Sequence, residues 1–184
     1  MIRSAFLSLV LLLPLAGCGG DNGEDAATTA ARGFYDKVLA AHTGGVPDED
    51  LRAGLRAVIS PDLDSLIAQA AEAERRHTER VNNEEPPYLQ GDIFSSLFEG
   101  PTAYEIGPCE ELEENGELSM RCDVLLVHEA EEPVQWTDHV ILVADGVPEE
   151  RRWLVDDILY GGDWDFGPKG SLKAMLRSVI EEES

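Results

Sequence analysis

The chain has 184 residues, of which 43% are hydrophobic and 28% charged, a composition that suits one domain with its own core. Its 37 acidic and 14 basic residues give a formal net charge of −23 at pH 7. We expect no binding to nucleic acid or to an anionic lipid surface, because both need lysine and arginine to neutralise phosphate.

The N-terminus has the features of an export signal. Arg3 precedes an apolar run over residues 5–15, which is too short to span about 30 Å of hydrocarbon. The run ends in Leu15-Ala16-Gly17-Cys18, which resembles the lipobox of bacterial lipoproteins. That resemblance implies removal of residues 1–17 as a signal peptide and acylation of Cys18 by fatty acids such as palmitate. The alternative is an ordinary signal peptide with an incidental cysteine.

The residues after Cys18 predict how the domain is held. Residue 19 is glycine rather than aspartate, which in the usual sorting rule for such lipoproteins favours the outer membrane, with the domain facing the periplasm. Residues 18–27 are polar and glycine-rich, so we expect a flexible tether before a single domain over 28–184. The exported chain keeps all 37 acids and loses only Arg3, so its net charge is −24. Buried acyl chains hold it without a basic patch.

Helical periodicity dominates the first half of this domain. Residues 27–42 and 47–59 each place apolar side chains on one face. Ser60 is expected to cap a third helix that begins at Pro61 and runs to about Val81. Residues 82–87 then break the pattern.

Strand patterns follow Gly100. They cover residues 104–113, 118–129, 133–144 and 153–160, and a loop over 161–170 then leads to a last helix capped by Ser171. Gly107-Pro108 predicts a bulge in the first of these strands. Helices first and consecutive strands afterwards indicate an α+β fold, in which N-terminal helices pack on a curved antiparallel sheet of about four strands.

Two cysteines remain besides Cys18, and they face each other in a predicted hairpin. Asn115-Gly116 is a strong signal for a two-residue turn, and this turn places Cys109 opposite Cys122. The pair falls at a non-hydrogen-bonded site, where Cα atoms approach to about 4.5 Å, and an exported protein meets an oxidising compartment. We therefore predict a disulfide, with two free thiols or half of a metal site as the alternatives.

Several segments carry a resemblance to known folds. They are Phe34-Tyr35, Gly-Asp-Ile-Phe-Ser at 91–95, Trp-Leu-Val-Asp-Asp-Ile-Leu-Tyr at 153–160 and Ser-Leu-Lys at 171–173. With the element order they resemble the cone-shaped NTF2-like and cystatin-like folds. They resemble more closely a domain of unknown function from bacterial lipoproteins and periplasmic proteins, over roughly residues 30–182. The resemblance implies the fold and brings no catalytic residues.

Asp156 and Asp157 are the most suggestive pair for catalysis. Side chains alternate along a strand, so one of the two should face the cone interior, where burial raises the pKa of a carboxyl as a general acid or base requires. The alternative, which we favour, is a carboxylate that caps a helix or accepts N–H groups from Gly161-Gly162.

The sequence signals for other catalytic residues and for a metal site are weaker. His139 could form an acid–base pair only with a cross-strand carboxylate, so a structural or surface histidine is favoured. The four histidines lie at unrelated spacings and the acidic runs lack a calcium-loop pattern, so we expect no metal, and we expect no cofactor.

Aromatic side chains give the best candidate for a pocket or a partner surface. They are Trp136, Trp153, Tyr160, Trp164 and Phe166, and the pattern suggests that they cluster near one end of the sheet. Trp164 and Phe166 lie in the glycine-rich loop, which suits a partner contact or a pocket rim. The alternative is a loop folded back over the open end of the cone.

The leading hypothesis is a non-enzymatic, lipid-anchored protein that binds another envelope protein. The alternatives are a carrier or sensor of a small apolar ligand held in the cone, and an immunity-type inhibitor of a basic secreted toxin, which the negative charge would attract. An enzyme is the least favoured class.

Overall fold

The computed structural model describes residues 21–42, 44–114, 117–147 and 151–183. Helices α1 (Asp21–Ala41), α2 (Glu49–Leu55) and α3 (Pro61–Arg80) come first, followed by strands β1 (Ala103–Glu114), β2 (Glu117–His128), β3 (Val134–Asp145) and β4 (Arg152–Leu159), and then by helix α4 (Leu172–Glu182). This order confirms the predicted α+β class. Cys18 and the Asn115-Gly116 turn lie outside the described residues, so the acylation of Cys18 stays a prediction.

The four strands form one antiparallel sheet in the order β1-β2-β3-β4, which is curved and not closed. Helix α1 crosses one side of the sheet and contacts both β1 and β4. We call this side the core face and the opposite side the outer face. Phe34 and Tyr35 of α1 are fully buried against core-face side chains such as Val124, Leu126 and Leu142. The core therefore lies between α1 and the sheet.

The helix ends follow the predicted capping chemistry, with one correction. The Ser60 hydroxyl accepts a hydrogen bond from the Leu63 N–H at 3.0 Å, and Ser171 caps α4 in the same way. Helix α1, however, begins at Asp21. The prediction that the tether extends to residue 27 is therefore wrong, because residues 21–27 are already helical and Ala27 is buried in the core.

The β1–β2 hairpin has the predicted register. Cys109 pairs with Cys122, their Cα atoms are 4.0 Å apart, and the two side chains form a disulfide. The predicted bulge is confirmed, since the pairing shifts between Ile106 and Cys109, around a proline that cannot donate to the ladder. The Thr28 hydroxyl of α1 lies 3.4 Å from the Cys109 sulfur, so the disulfide also contacts the helix.

Within the described ranges, no helix is both long enough and apolar enough to cross a membrane.

Candidate functional site at the aromatic end of the sheet

A bulge in β4 decides where the two adjacent aspartates point. The β3–β4 register shifts between Ile141, which pairs with Asp157, and Leu142, which pairs with Val155. Asp156 is the extra residue. The expectation that one of the two aspartates faces the core is therefore wrong, because the bulge shifts the alternation by one position and keeps the apolar side chains on either side of it on the core face.

Both aspartates hold helix starts in place. The Asp157 Oδ1 accepts the Lys173 N–H at 2.9 Å, in the first turn of α4. Asp156 accepts the Ser60 hydroxyl at 2.6 Å and the Lys173 ammonium at 2.9 Å. Burial lowers the pKa of Lys173, but its hydrogen bonds to Asp62 and Asp156 outweigh this effect and raise the pKa overall. These contacts support the helix-capping reading of the aspartates.

His139 has the cross-strand partner that an acid–base pair requires. Its Nδ1 lies 2.8 Å from the Asp123 Oδ1, and Asp123 pairs with His139 in the β2–β3 register. Both side chains lie on the outer face and are open to solvent, with side-chain exposures of 33% for His139 and 44% for Asp123. An exposed ion pair of this kind contributes little on its own. Among the described residues no group of His, Cys, Asp and Glu could hold a metal ion.

The carboxylate that does enter the core is Asp138. It is 0% exposed, and it accepts four hydrogen bonds. The donors are the Ser96 N–H at 2.8 Å, the Ser96 hydroxyl, the Gly161 N–H at 2.8 Å and the Trp136 indole at 3.1 Å. Asp138 was not predicted as a site residue, although the alternation of Trp136, Asp138, Val140 and Leu142 places it on the buried face. The full set of donors explains how the core accommodates the carboxylate.

Asp138 joins two segments that are far apart in the chain. Residues 91–100 lie beneath the loop that follows β4, and the Tyr160 hydroxyl donates to the Ile93 carbonyl oxygen at 2.6 Å. In that loop, the Gly162 N–H donates to the Ser96 hydroxyl at 3.0 Å and the Trp164 indole donates to the Ser96 carbonyl oxygen at 2.9 Å. The loop is therefore folded back over the end of the sheet, as the alternative interpretation held.

A second carboxylate, Asp92, lies in the same region with fewer partners. Its Oδ1 accepts the Phe94 N–H at 3.2 Å, whereas its Oδ2 is buried and has no hydrogen-bond partner within the described chain. Burial raises the pKa of the Asp92 carboxyl to about 6, and the nearby Asp138 adds to this shift. Burial also raises the pKa of the Tyr35 hydroxyl, with both carboxylates contributing. Asp92 also lines a cavity of about 270 Å³ beside the end of α1.

The aromatic residues divide into two groups. Trp153 pairs with Ala144 at the opposite end of β4, so the expectation that it belongs with the others is wrong. Trp136 packs edge-to-face on Trp164 at 5.6 Å between ring centroids, and Phe166 stacks on Trp164 at 6.1 Å. Trp136 is buried and Trp164 half-buried, but Phe166 is 76% exposed.

A second exposed ring lies at the same end. Phe98 is 52% exposed and follows Ser96, the residue that holds Trp164, by two positions. We use the name aromatic end for Phe98, Trp164 and Phe166, which are connected through Ser96. The sequence pointed to Trp164 and Phe166 together, but the Trp164 indole is held by Ser96 and Trp136, so Phe166 and Phe98 are the more accessible rings. Phe98 was missed because the segment 91–100 carries no regular periodicity.

Comparison with known proteins adds no assignment: the chain matches no protein-family model, and a search of curated proteins found no match.

Proposed function

We propose that the protein is a non-enzymatic, lipid-anchored component of the bacterial cell envelope, and that it binds another envelope protein through the aromatic end. The observation that carries this proposal is the exposure of Phe166 on a hydrogen-bonded support. Its ring stacks on Trp164, and Trp164 is hydrogen-bonded to Ser96, which in turn is bonded to Asp138. An aromatic side chain that is ordered before binding loses little conformational entropy when a partner covers it.

The packing of the core supports this class of function over a ligand carrier. A carrier in a cone fold needs space between the helices and the sheet. Here Phe34, Tyr35, Leu126 and Leu142 are fully buried against one another in that position. The cavity beside Asp92 lies at the end of α1, and a larger one of about 850 Å³ has the charged side chains of Asp62, Asp156 and Lys173 in its lining and no residue of α1.

Site-specific crosslinking in cells tests the proposal. A photoreactive phenylalanine analogue placed at Phe166 or Phe98 is expected to capture one envelope protein. The matched control is the same analogue at Val147, which is 57% exposed and lies beyond the opposite end of β3. The captured protein is then purified, and Phe166→Ala is expected to weaken its affinity at least about tenfold, as is usual for an aromatic hot spot. Equal capture from positions 166 and 147, or an unchanged affinity, would contradict the proposal.

The anchoring part is tested separately. Cys18→Ser is expected to leave a precursor without acyl chains, which no longer fractionates with the outer membrane after a high-salt wash. Wild-type fractionation of this variant would show that the lipobox interpretation is wrong.

A further inference from the structure

We infer that the partner of the aromatic end presents a basic surface around an apolar recess, so that arginine or lysine side chains meet the acids which lie close in sequence to the two exposed phenylalanines, namely Asp163, Asp165 and Glu99. This inference rests on the proposed function and specifies the chemistry of its partner. An uncharged apolar surface, the other possible partner, is an outcome of the test below, and a second copy of the chain is disfavoured by its charge.

The acids around the exposed rings have no basic partner of their own. Asp163 and Asp165 lie on either side of Trp164, Asp165 directly precedes Phe166, and Glu99 follows Phe98. None of the three forms an ion pair within the described chain. Lys169 is the basic residue of this loop, but its ammonium donates to the Gly162 carbonyl oxygen at 3.1 Å instead. The aromatic end therefore combines exposed apolar area with unneutralised negative charge.

A second copy of the chain is a poor occupant for this surface. Each exported chain carries a net charge of −24, so two copies repel each other as they approach. Most of the arginines are also occupied by carboxylates of their own chain; these are Arg52, Arg56, Arg75, Arg76, Arg80, Arg121 and Arg152. Few basic side chains remain to meet the acids of another copy.

A basic partner satisfies both features of the surface. Guanidinium and ammonium groups at the rim would neutralise the three acids, and an apolar recess would cover the rings. Rim charges of this kind act mainly on the rate of association and are screened by salt, whereas the buried ring contributes to the lifetime of the complex. The contribution of the acids to the association rate and the contribution of the ring to the lifetime of the complex can therefore be measured separately.

Selection from a random peptide library displayed on phage provides the probe. The exported chain is the target, and synthetic versions of the enriched peptides are measured against purified variants. We expect peptides that combine a large apolar residue with flanking arginine or lysine. Their affinity should fall about tenfold or more for Phe166→Ala and remain unchanged for Val147→Ala. Poly-lysine, which offers charge without an apolar residue, is the control for non-specific attraction.

The acids are tested with the double variant Asp163→Asn, Asp165→Asn, which keeps the side-chain volumes. Association of the selected peptides is expected to slow severalfold at low salt, and the difference from wild type should vanish near 0.5 M salt, where the screening length is only a few ångströms. Peptides that depend on Phe166 but are neutral or acidic would overturn the inference about partner charge and leave the proposed function standing. A selection that yields no peptide dependent on Phe166 would contradict the proposed function itself.

Discussion

Ser96 and Asp138 are joined through both oxygens of the carboxylate. The Ser96 N–H donates to Oδ2 at 2.8 Å and its hydroxyl donates to Oδ1, although the two residues are 42 positions apart. The same serine binds the loop after β4 through its hydroxyl and its carbonyl oxygen. This one pair therefore fixes the segment 91–100, the sheet and the loop that carries Phe166.

Replacing Asp138 should be severely destabilising. Asp138→Asn places an amide donor among four donors, and leaving buried donors unpaired costs about 1–3 kcal/mol each. We expect the free energy of unfolding to fall by about 3 kcal/mol or more, measured by urea denaturation. Asp163→Asn, at an exposed position in the same loop, is the control and should change stability by less than about 0.5 kcal/mol. Similar small effects from both variants would refute the role assigned to Asp138.

Substitutions at Trp164 and at Phe166 should distinguish a role in folding from a role in binding. Trp164→Phe keeps a ring but loses the hydrogen bond to the Ser96 carbonyl oxygen, so stability should fall by about 1 kcal/mol. Phe166→Ala removes an exposed ring and should leave the melting temperature nearly unchanged. Thermal unfolding of both variants checks this. If Phe166→Ala lowers the melting temperature more than Trp164→Phe does, the Phe166 ring is part of the core rather than of a surface.

Gly161 should tolerate no side chain. A methyl group at this position would overlap the Thr137 carbonyl oxygen, which belongs to the backbone of β3 and cannot move aside cheaply. Gly161→Ala is therefore expected to lower stability and to increase hydrogen exchange across the loop. Gly54→Ala in α2 is the matched control, because its methyl group meets open space and alanine favours a helix by about 1 kcal/mol. If Gly161→Ala lowers stability no more than Gly54→Ala does, the loop adjusts to the added methyl group and the prediction is wrong.

The disulfide should contribute measurably to stability. Cys109 and Cys122 are 13 positions apart, and closing a loop of that size stabilises by about 3 kcal/mol in the chain-entropy model. The double change to alanine is expected to lower the free energy of unfolding by that order. Mass analysis under non-reducing conditions should show the two cysteines linked in the folded protein. Two thiols that alkylate in the folded protein would disprove the pairing.

Asp92 should give the protein a pH dependence of its own. Its folded pKa of about 6 lies above the ordinary value of 3.8, so between these values the folded state binds more protons than the unfolded state. This contribution to stability is full below about pH 4 and is lost as the pH rises through about 6. Asp92→Asn removes the ionisation and should be more stable than wild type at pH 7.5 by about 3 kcal/mol, with little difference at pH 4. Unfolding curves at both pH values measure this, and a constant difference would contradict it.

Local chemistry explains which parts of the fold were predictable. The Ser60-Pro61 start of α3 and the register set by the turn at 115–116 depend on residues near in sequence, and the structure has both. Gly107-Pro108 marked its bulge because proline lacks an N–H. The bulge at Asp156 has no glycine or proline, so a regular alternation was assumed and the two aspartates were misplaced.

The candidate site was less predictable because its contacts are long-range. Nothing in the spacing of Ser96 and Asp138 indicates that they bond, and the accessibility of Phe98 follows only from the path of the segment 91–100. Trp153 was grouped with the wrong end of the sheet because it was judged by residue type. Trp153 lies near the start of β4 and Tyr160 directly follows its end, so the positions alone place the two residues at opposite ends of the strand.

The early start of α1 limits the distance between the proposed anchor at Cys18 and the aromatic end. The helix has 21 residues and is about 30 Å long. Asp21 follows Cys18 by three positions, a stretch that reaches at most about 11 Å. The other end of the helix lies beside the aromatic end, since Val38, His42 and Phe98 line one cavity. Acyl chains on Cys18 would thus leave Phe166 and Phe98 roughly one helix length from the anchor, which favours a partner standing in the aqueous space over one embedded among the lipid headgroups.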